Sequence, residues 1–179
     1  MKIIRSILLI CVIACLGGAT PSSADPVAIR PFPAPQLTGG PWVNGNPVTP
    51  QDLRGKVVVL LFWTHGCINC KHNLGYWNDW AKEYKGSDVA VISVHTPEGD
   101  WERQVQGVRD FVRERGLVFP VVIDNDHANW NSYGVQAWPC EILVDKAGVV
   151  RYEYDGELNW NGSGEYKTVQ SRIEELRRD

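Results

Sequence analysis

Two cysteines three positions apart, in Cys67-Ile68-Asn69-Cys70, are the residues of this chain best suited to chemistry. They follow the apolar run Val57-Val58-Val59-Leu60-Leu61-Phe62-Trp63 directly and open a stretch with helical spacing. A helix start leaves backbone N–H groups unpaired and carries the positive end of the helix dipole. Both favour a thiolate on Cys67, and the thiolate is the nucleophile. One turn later, Cys70 can attack a mixed disulfide on Cys67 and release the product. A structural disulfide or half a zinc site would use the same residues. The position after a buried strand favours reversible disulfide chemistry.

Those thiols need a strand before them and a helix after them. Val57 to Trp63 is apolar without alternation, as in a sheet covered on both faces. A helix is predicted from about Ile68 to Tyr84, with Leu74, Trp77, Trp80, Ala81 and Tyr84 on one stripe. A second strand runs from Asp88 to His95. Trp101, Val105, Val108, Phe111 and Val112 mark the next helix, which Gly116 ends. Phe119 to Ile123 is a third strand. Ala128 to Tyr133 is a short helix with Asp126 as its expected cap. Glu141–Val144 and Val149–Tyr154 form a hairpin, and Tyr166, Val169, Ile173 and Leu176 define a last amphipathic helix. Ahead of all this, Asn44-Gly45 within Trp42 to Val48 predicts a hairpin. Thr49 and Pro50 predict a capped helical turn. The expected fold class is α/β: a mixed sheet with helices on both faces, an N-terminal hairpin, and an inserted helix between the second and third core strands.

The chain has 179 residues, enough for one domain and a targeting segment. Net charge is −3 and no basic run occurs, so no nucleic-acid partner is expected. Lys2 and Arg5, the apolar stretch Ile7–Leu16, and Ser22-Ser23-Ala24 have the layout of a secretory signal over residues 1–24. The competing reading removes residues 1–14, because Val12-Ile13-Ala14-Cys15 resembles a lipobox and would make Cys15 a lipid anchor. Either route exports the protein. Residues 25–41 are Pro-rich and read as a tether or wrapping arm, and residues 42–179 as the folded domain. Cys11 and Cys15 belong to the signal. The three that remain, Cys67, Cys70 and Cys140, cannot form a fully paired framework.

The segment Gly55 to Cys70 resembles the thioredoxin-like family, most nearly its exported TlpA-like and DipZ-type members. Phe119 to Asp126, Trp130 to Val135 and Trp138-Pro139 extend the likeness, which covers about Trp42 to Tyr154. The resemblance implies a thiol-disulfide oxidoreductase in which Cys67 attacks and Cys70 resolves. It also implies a cis Trp138–Pro139 bond facing the dithiol, client proteins bearing thiols or disulfides, a periplasmic or other extracytoplasmic location, and a reductant fed by a membrane electron donor. No cofactor and no resident metal are expected. Three departures stand out. Leu61 occupies the place of the buried Asp of thioredoxins, Gly66 that of a Trp before the first Cys, and Asn73 that of an acidic residue one turn after the second.

Other residues admit two readings. Trp63 is a core residue beneath the active-site loop, and His65 either supports the thiolate or faces solvent. Cys140 is a buried filler or a third thiol beside the dithiol; an accessible thiol is expected, because Gly66 leaves the region uncrowded. Glu141 is a water-facing edge residue, the reading favoured, or a substitute proton acceptor with a pKa raised by burial. Cys140 and Glu141 are adjacent on a strand, so they face opposite sides. His95 reads as an ordinary strand-end residue, and Trp77, Trp80, Trp101 and Trp130 as core. Two other functions use the same cysteines. A copper or zinc chaperone would add a His ligand. A thiol peroxidase would need an Arg and Thr near Cys67, and the sequence lacks that pattern.

Overall fold

The computed structural model describes residues 27–179. Seven strands form one sheet: β1 (Val27–Pro33), β2 (Trp42–Val43), β3 (Val57–Trp63), β4 (Val89–His95), β5 (Val121–Ile123), β6 (Cys140–Val144) and β7 (Val149–Asp155). Their spatial order is β1-β7-β6-β3-β4-β5-β2. The central strand β3 pairs parallel to β4 and antiparallel to β6, and β4 pairs parallel to β5. All seven residues of β3 are buried, as an apolar run without alternation requires.

Alternate β3 side chains feed two cores. Val57, Val59, Leu61 and Trp63 face α2 (Ile68–Glu83), α3 (Val105–Glu114) and α5 (Glu165–Arg178). Val58, Leu60 and Phe62 face α1 (Pro50–Leu53), α4 (Ala128–Tyr133) and the chain before β2. The mixed α/β sheet with helices on both faces is therefore present, and α3 is the inserted helix between β4 and β5. On α2, Leu74, Trp77 and Trp80 are buried at a spacing of three, and fully burying a side chain of that size stabilises by roughly 1.5–3 kcal/mol.

Four expectations need correction. The hairpin over Trp42–Val48 is absent. β2 instead pairs antiparallel with β5 at the sheet edge. The chain leaves it at Asn44, in a left-handed conformation, whose amide donates to the carbonyls of Leu117 at 2.7 Å and Phe119 at 2.9 Å. A hairpin turn needs a facing strand, and β5 had already supplied one. The Pro-rich arm is not a tether over its described part, because β1 pairs antiparallel with β7 and extends the sheet. Asp126 is not the main cap of α4. Asp124, at the end of β5, accepts the backbone N–H groups of Asn129 and Trp130 at 2.9 and 3.0 Å, together with the Thr96 hydroxyl. Asp126 takes only the Ala128 N–H, at 3.3 Å. Trp101 is not on α3 and not in the core. It sits on a separate 3-10 turn, Asp100–Arg103, and is 63% exposed. The signal segment and the lipidation site at Cys15 lie outside the described residues.

Candidate active site

Cys67 is the N-cap of α2, in extended conformation, where β3 hands the chain to the helix. Its sulfur accepts the backbone N–H of Cys70 at 3.1 Å, so the helix start directs an unpaired donor at the reactive atom. Cys67 is half-buried and Cys70 is buried. The two are joined in a disulfide with Cα atoms 5.3 Å apart. This asymmetry leaves Cys67 the more accessible sulfur of the pair.

A buried carboxyl lies on the same face of the sheet. Glu141 is 1% exposed, on the interior strand β6, and its register partner on β3 is Leu61. The edge-strand, water-facing reading is therefore wrong: β7 and β1 lie outside β6, so Glu141 is interior. Trp77 Nε1 and Asn73 Nδ2, both from α2, donate to its Oε1 at 2.8 and 3.1 Å. Its Oε2 has no hydrogen-bond partner among the described residues. Burial pushes the carboxyl up to about 8, against the lowering effect of the Trp77 and Asn73 bonds. Asn73 cannot ionise, but it fixes this carboxyl and ties the loop after β7. Its amide also donates to the Gly156 carbonyl, and its oxygen accepts the Leu158 N–H, both at 2.9 Å.

Cys140 points to the opposite core, among Phe62, Tyr133, Val135 and Ile142. It is fully buried, and burial raises its thiol well above the ordinary value, helped by the negative charges of Asp155, Glu153 and Glu141. The accessible third thiol is thus not found. The reason is the alternation of β6, which gives the α2 face to Glu141. Cys140, Glu153 and Asp155 bring ligand atoms within 4.8 Å of one another, and this group does not include the dithiol.

The loop Thr64-His65-Gly66 that leads to Cys67 is held by Glu102, a residue the sequence reading missed. Its Oε1 accepts the Thr64 hydroxyl at 2.5 Å and the Gly66 N–H at 2.8 Å. Its Oε2 accepts the N–H groups of Glu98 and Gly99 at 2.6 and 3.0 Å. Burial alone would raise this carboxyl, but the bonds from Thr64, Gly99, Glu98 and Gly66 prevail and hold it below the ordinary value. The only local signal is a Glu three residues after Gly99, which is the acceptor half of a capping box without the N-cap side chain. His95 is no ordinary strand-end residue either. It is buried and stacks on His65 at 5.2 Å, and its Nε2 lies 3.0 Å from His65 Nδ1 and 3.3 Å from the His65 backbone nitrogen. Burial, with His65 beside it, depresses it to about 3, so His95 is a neutral support. His65 is half-buried and is lowered by burial, with Glu102 opposing. Trp63 is buried, with its ring against His95 and Phe111.

Trp138 and Pro139 sit between α4 and β6, joined by a cis peptide. Trp138 packs on Trp130 with ring centroids 4.1 Å apart, and its Nε1 donates to the Thr96 carbonyl at 3.1 Å. Like Cys67, it borders the core cluster beneath α2.

The chain is similar in sequence and fold to known proteins. A model of the AhpC/TSA family matches residues 30–153. The protein DipZ of Mycobacterium tuberculosis is 37% identical over 150 residues, covering 82% of this chain and 21% of that protein. The chain therefore spans about a fifth of the length of that relative. The thiol-disulfide oxidoreductase ResA of Bacillus cereus is 33% identical over 124 residues, 69% of each chain. Among solved structures, a thiol-disulfide isomerase from Corynebacterium glutamicum superposes with a TM-score of 0.70 at 25% identity, over 82% of this chain and 97% of that one.

Proposed function

The chain belongs to the AhpC/TSA family, with a thioredoxin-like fold, and from that premise we propose that it is an exported thiol-disulfide oxidoreductase acting on client proteins. The observation that carries the reading is the Cys67–Cys70 disulfide at the N-cap of α2. In the reducing direction, the Cys67 thiolate attacks a client disulfide and one client thiolate leaves. Cys70 then loses its proton and attacks the Cys67 sulfur, which releases the second client thiolate. Two electrons pass from the dithiol to the client.

Glu141 is the proton acceptor for Cys70. A carboxyl poised near 8 matches a thiol far better than one near 4, because proton transfer is most effective between groups of similar pKa. It replaces the absent acid at Leu61 from the neighbouring strand, in register with it. Trp63, His65, Trp138 and Pro139 support the loop and the flank of the dithiol. Delivery of electrons by a membrane donor, and anchoring through Cys15 or release after residue 24, belong to the same reading. No helix among the described residues is long and apolar enough to cross a membrane. The alternative, a copper or zinc chaperone binding metal through the same cysteines, is separated from this reading by metal titration of the reduced protein.

The test is trapping. Cys70→Ser should accumulate mixed disulfides on Cys67 in an extract of the exported compartment, and Cys67→Ser should accumulate none. An absence of adducts on Cys70→Ser would defeat the client-exchange reading. The potential of the couple gives the direction: about −270 mV indicates a reductase and about −120 mV an oxidase.

A further inference from the structure

Gly66 stands immediately before the attacking cysteine, and the space its side chain would fill is already taken. A Cβ built there would lie 2.8 and 2.9 Å from ring atoms Cζ2 and Cη2 of Trp101, and would collide with Glu102 Oε1. The indole edge of Trp101 therefore rests directly on the Gly66 α-carbon. It reaches this position from the 3-10 turn after β4, a different element of the fold. The neighbouring Glu102 anchors it by clamping that turn to the loop, with two accepted bonds on each side. The His65 ring packs against the indole at 4.9 Å.

Although fixed in this way, Trp101 is 63% exposed, and Ile68, the residue after Cys67, is 61% exposed. An exposed aromatic fixed at the loop that carries the dithiol offers a rigid apolar contact surface there. The reactive sulfur thus has an exposed apolar side chain on each side along the chain, one borrowed from another element. Cys70 is buried, so an outside sulfur meets Cys67, and this rim borders the loop that carries it.

Building on the exchange reading above, we propose that Trp101 determines client specificity. With Ile68, it seats an extended polypeptide that carries an apolar side chain next to its cystine. Trp offers wide, rigid apolar contact at little entropic cost, which suits a transient partner. A low-molecular-weight disulfide would gain little from this seat. The chemistry is unchanged: the Cys67 thiolate attacks one client sulfur, the client S–S bond breaks, and Cys70 closes the protein disulfide. The two protons given up by Cys67 and Cys70 end on the client sulfurs.

The experiment compares two oxidants of the pre-reduced protein: a disulfide-cyclised peptide with Leu or Phe beside each Cys, and hydroxyethyl disulfide. The readout is the ratio of their second-order rates. Trp101→Ala should lower the ratio roughly tenfold, Trp101→Phe should restore most of it, and Ile68→Ser, at a residue outside both core clusters, should lower it in the same direction. A ratio unchanged in both Trp101→Ala and Ile68→Ser would overturn the proposal. So would equal loss for both oxidants in Trp101→Ala without recovery in Trp101→Phe, which would make the indole a loop brace. Failure of the wild-type protein with both oxidants would instead remove the exchange reading and this proposal with it, and failure with the peptide alone would overturn this proposal only.

Discussion

Replacing Glu141 by Gln isolates the cost of a buried carboxyl. In the native state burial raises its pKa from the ordinary 4.5 to about 8. Below the ordinary value the group is protonated in both native and unfolded chains, and the native state has its full stability. Between the two values the unfolded chain has released the proton and the native state retains it. Stability therefore falls as pH rises through this window and levels off above about 8. Each unit of displaced titration is worth about 1.4 kcal/mol, so the loss amounts to about 2–3 kcal/mol between pH 5 and pH 7. Gln keeps an oxygen for Trp77 and Asn73 but puts an amide where Oε2 has no partner among the described residues, at a pH-independent cost of about 1 kcal/mol. The two proteins should be nearly level around pH 5, with Glu141→Gln the more stable by about 3 kcal/mol at pH 8. Urea unfolding of the oxidised protein, followed by tryptophan fluorescence across this range, reads both curves. Wild-type and variant curves running parallel would refute the argument, because the slope difference comes from Glu141 alone.

The same variant should slow resolution of the Cys67 mixed disulfide by roughly a hundredfold and remove an inflection near pH 8 from its rate profile, measured by stopped-flow. Reduced folded protein treated with iodoacetamide near neutral pH should be labelled first at Cys67 and not at Cys140, whose thiol is buried and raised; mass spectrometry showing comparable labelling would contradict the assignment of faces. Asp124→Ala removes acceptors for Thr96, Asn129 and Trp130 together, and should cost about 3 kcal/mol in a denaturant melt, with α4 losing hydrogen-exchange protection first.

The local elements were legible because their signals are local. The unbroken apolar run from Val57 to Trp63 announced a strand covered on both faces, and the Cys67–Cys70 spacing at the following helix start gave the dithiol. The α3 insertion and the β6–β7 hairpin followed from periodicity and turn residues. Errors gathered where the placement of one element against another, rather than residue preference, decided the outcome. Asn44-Gly45 carries a hairpin's turn chemistry, but the edge of β5 captured β2. Asp124, rather than the nearer Asp126, caps α4, because the end of β5 aims its carboxylate at the helix. Trp101 matched a core stripe by spacing, but a 3-10 turn carried it to the surface beside Gly66.

Glu141 and Cys140 draw the division most clearly. Strand alternation required the two to face opposite sides, and nothing local chose which. The choice came from the register of β6 on β3, which puts Glu141 opposite Leu61 and beneath Asn73 and Trp77 of α2. The sequence by itself determined that a dithiol would sit at a helix start on a buried strand, because dipole, spacing and hydrophobicity act over a few residues. Only the tertiary structure decided which carboxyl is buried beneath the helix that the dithiol opens, which thiol is buried in the opposite core, and which tryptophan packs at Gly66. Those outcomes depend on burial, and burial is set by strands and helices that meet from distant parts of the chain.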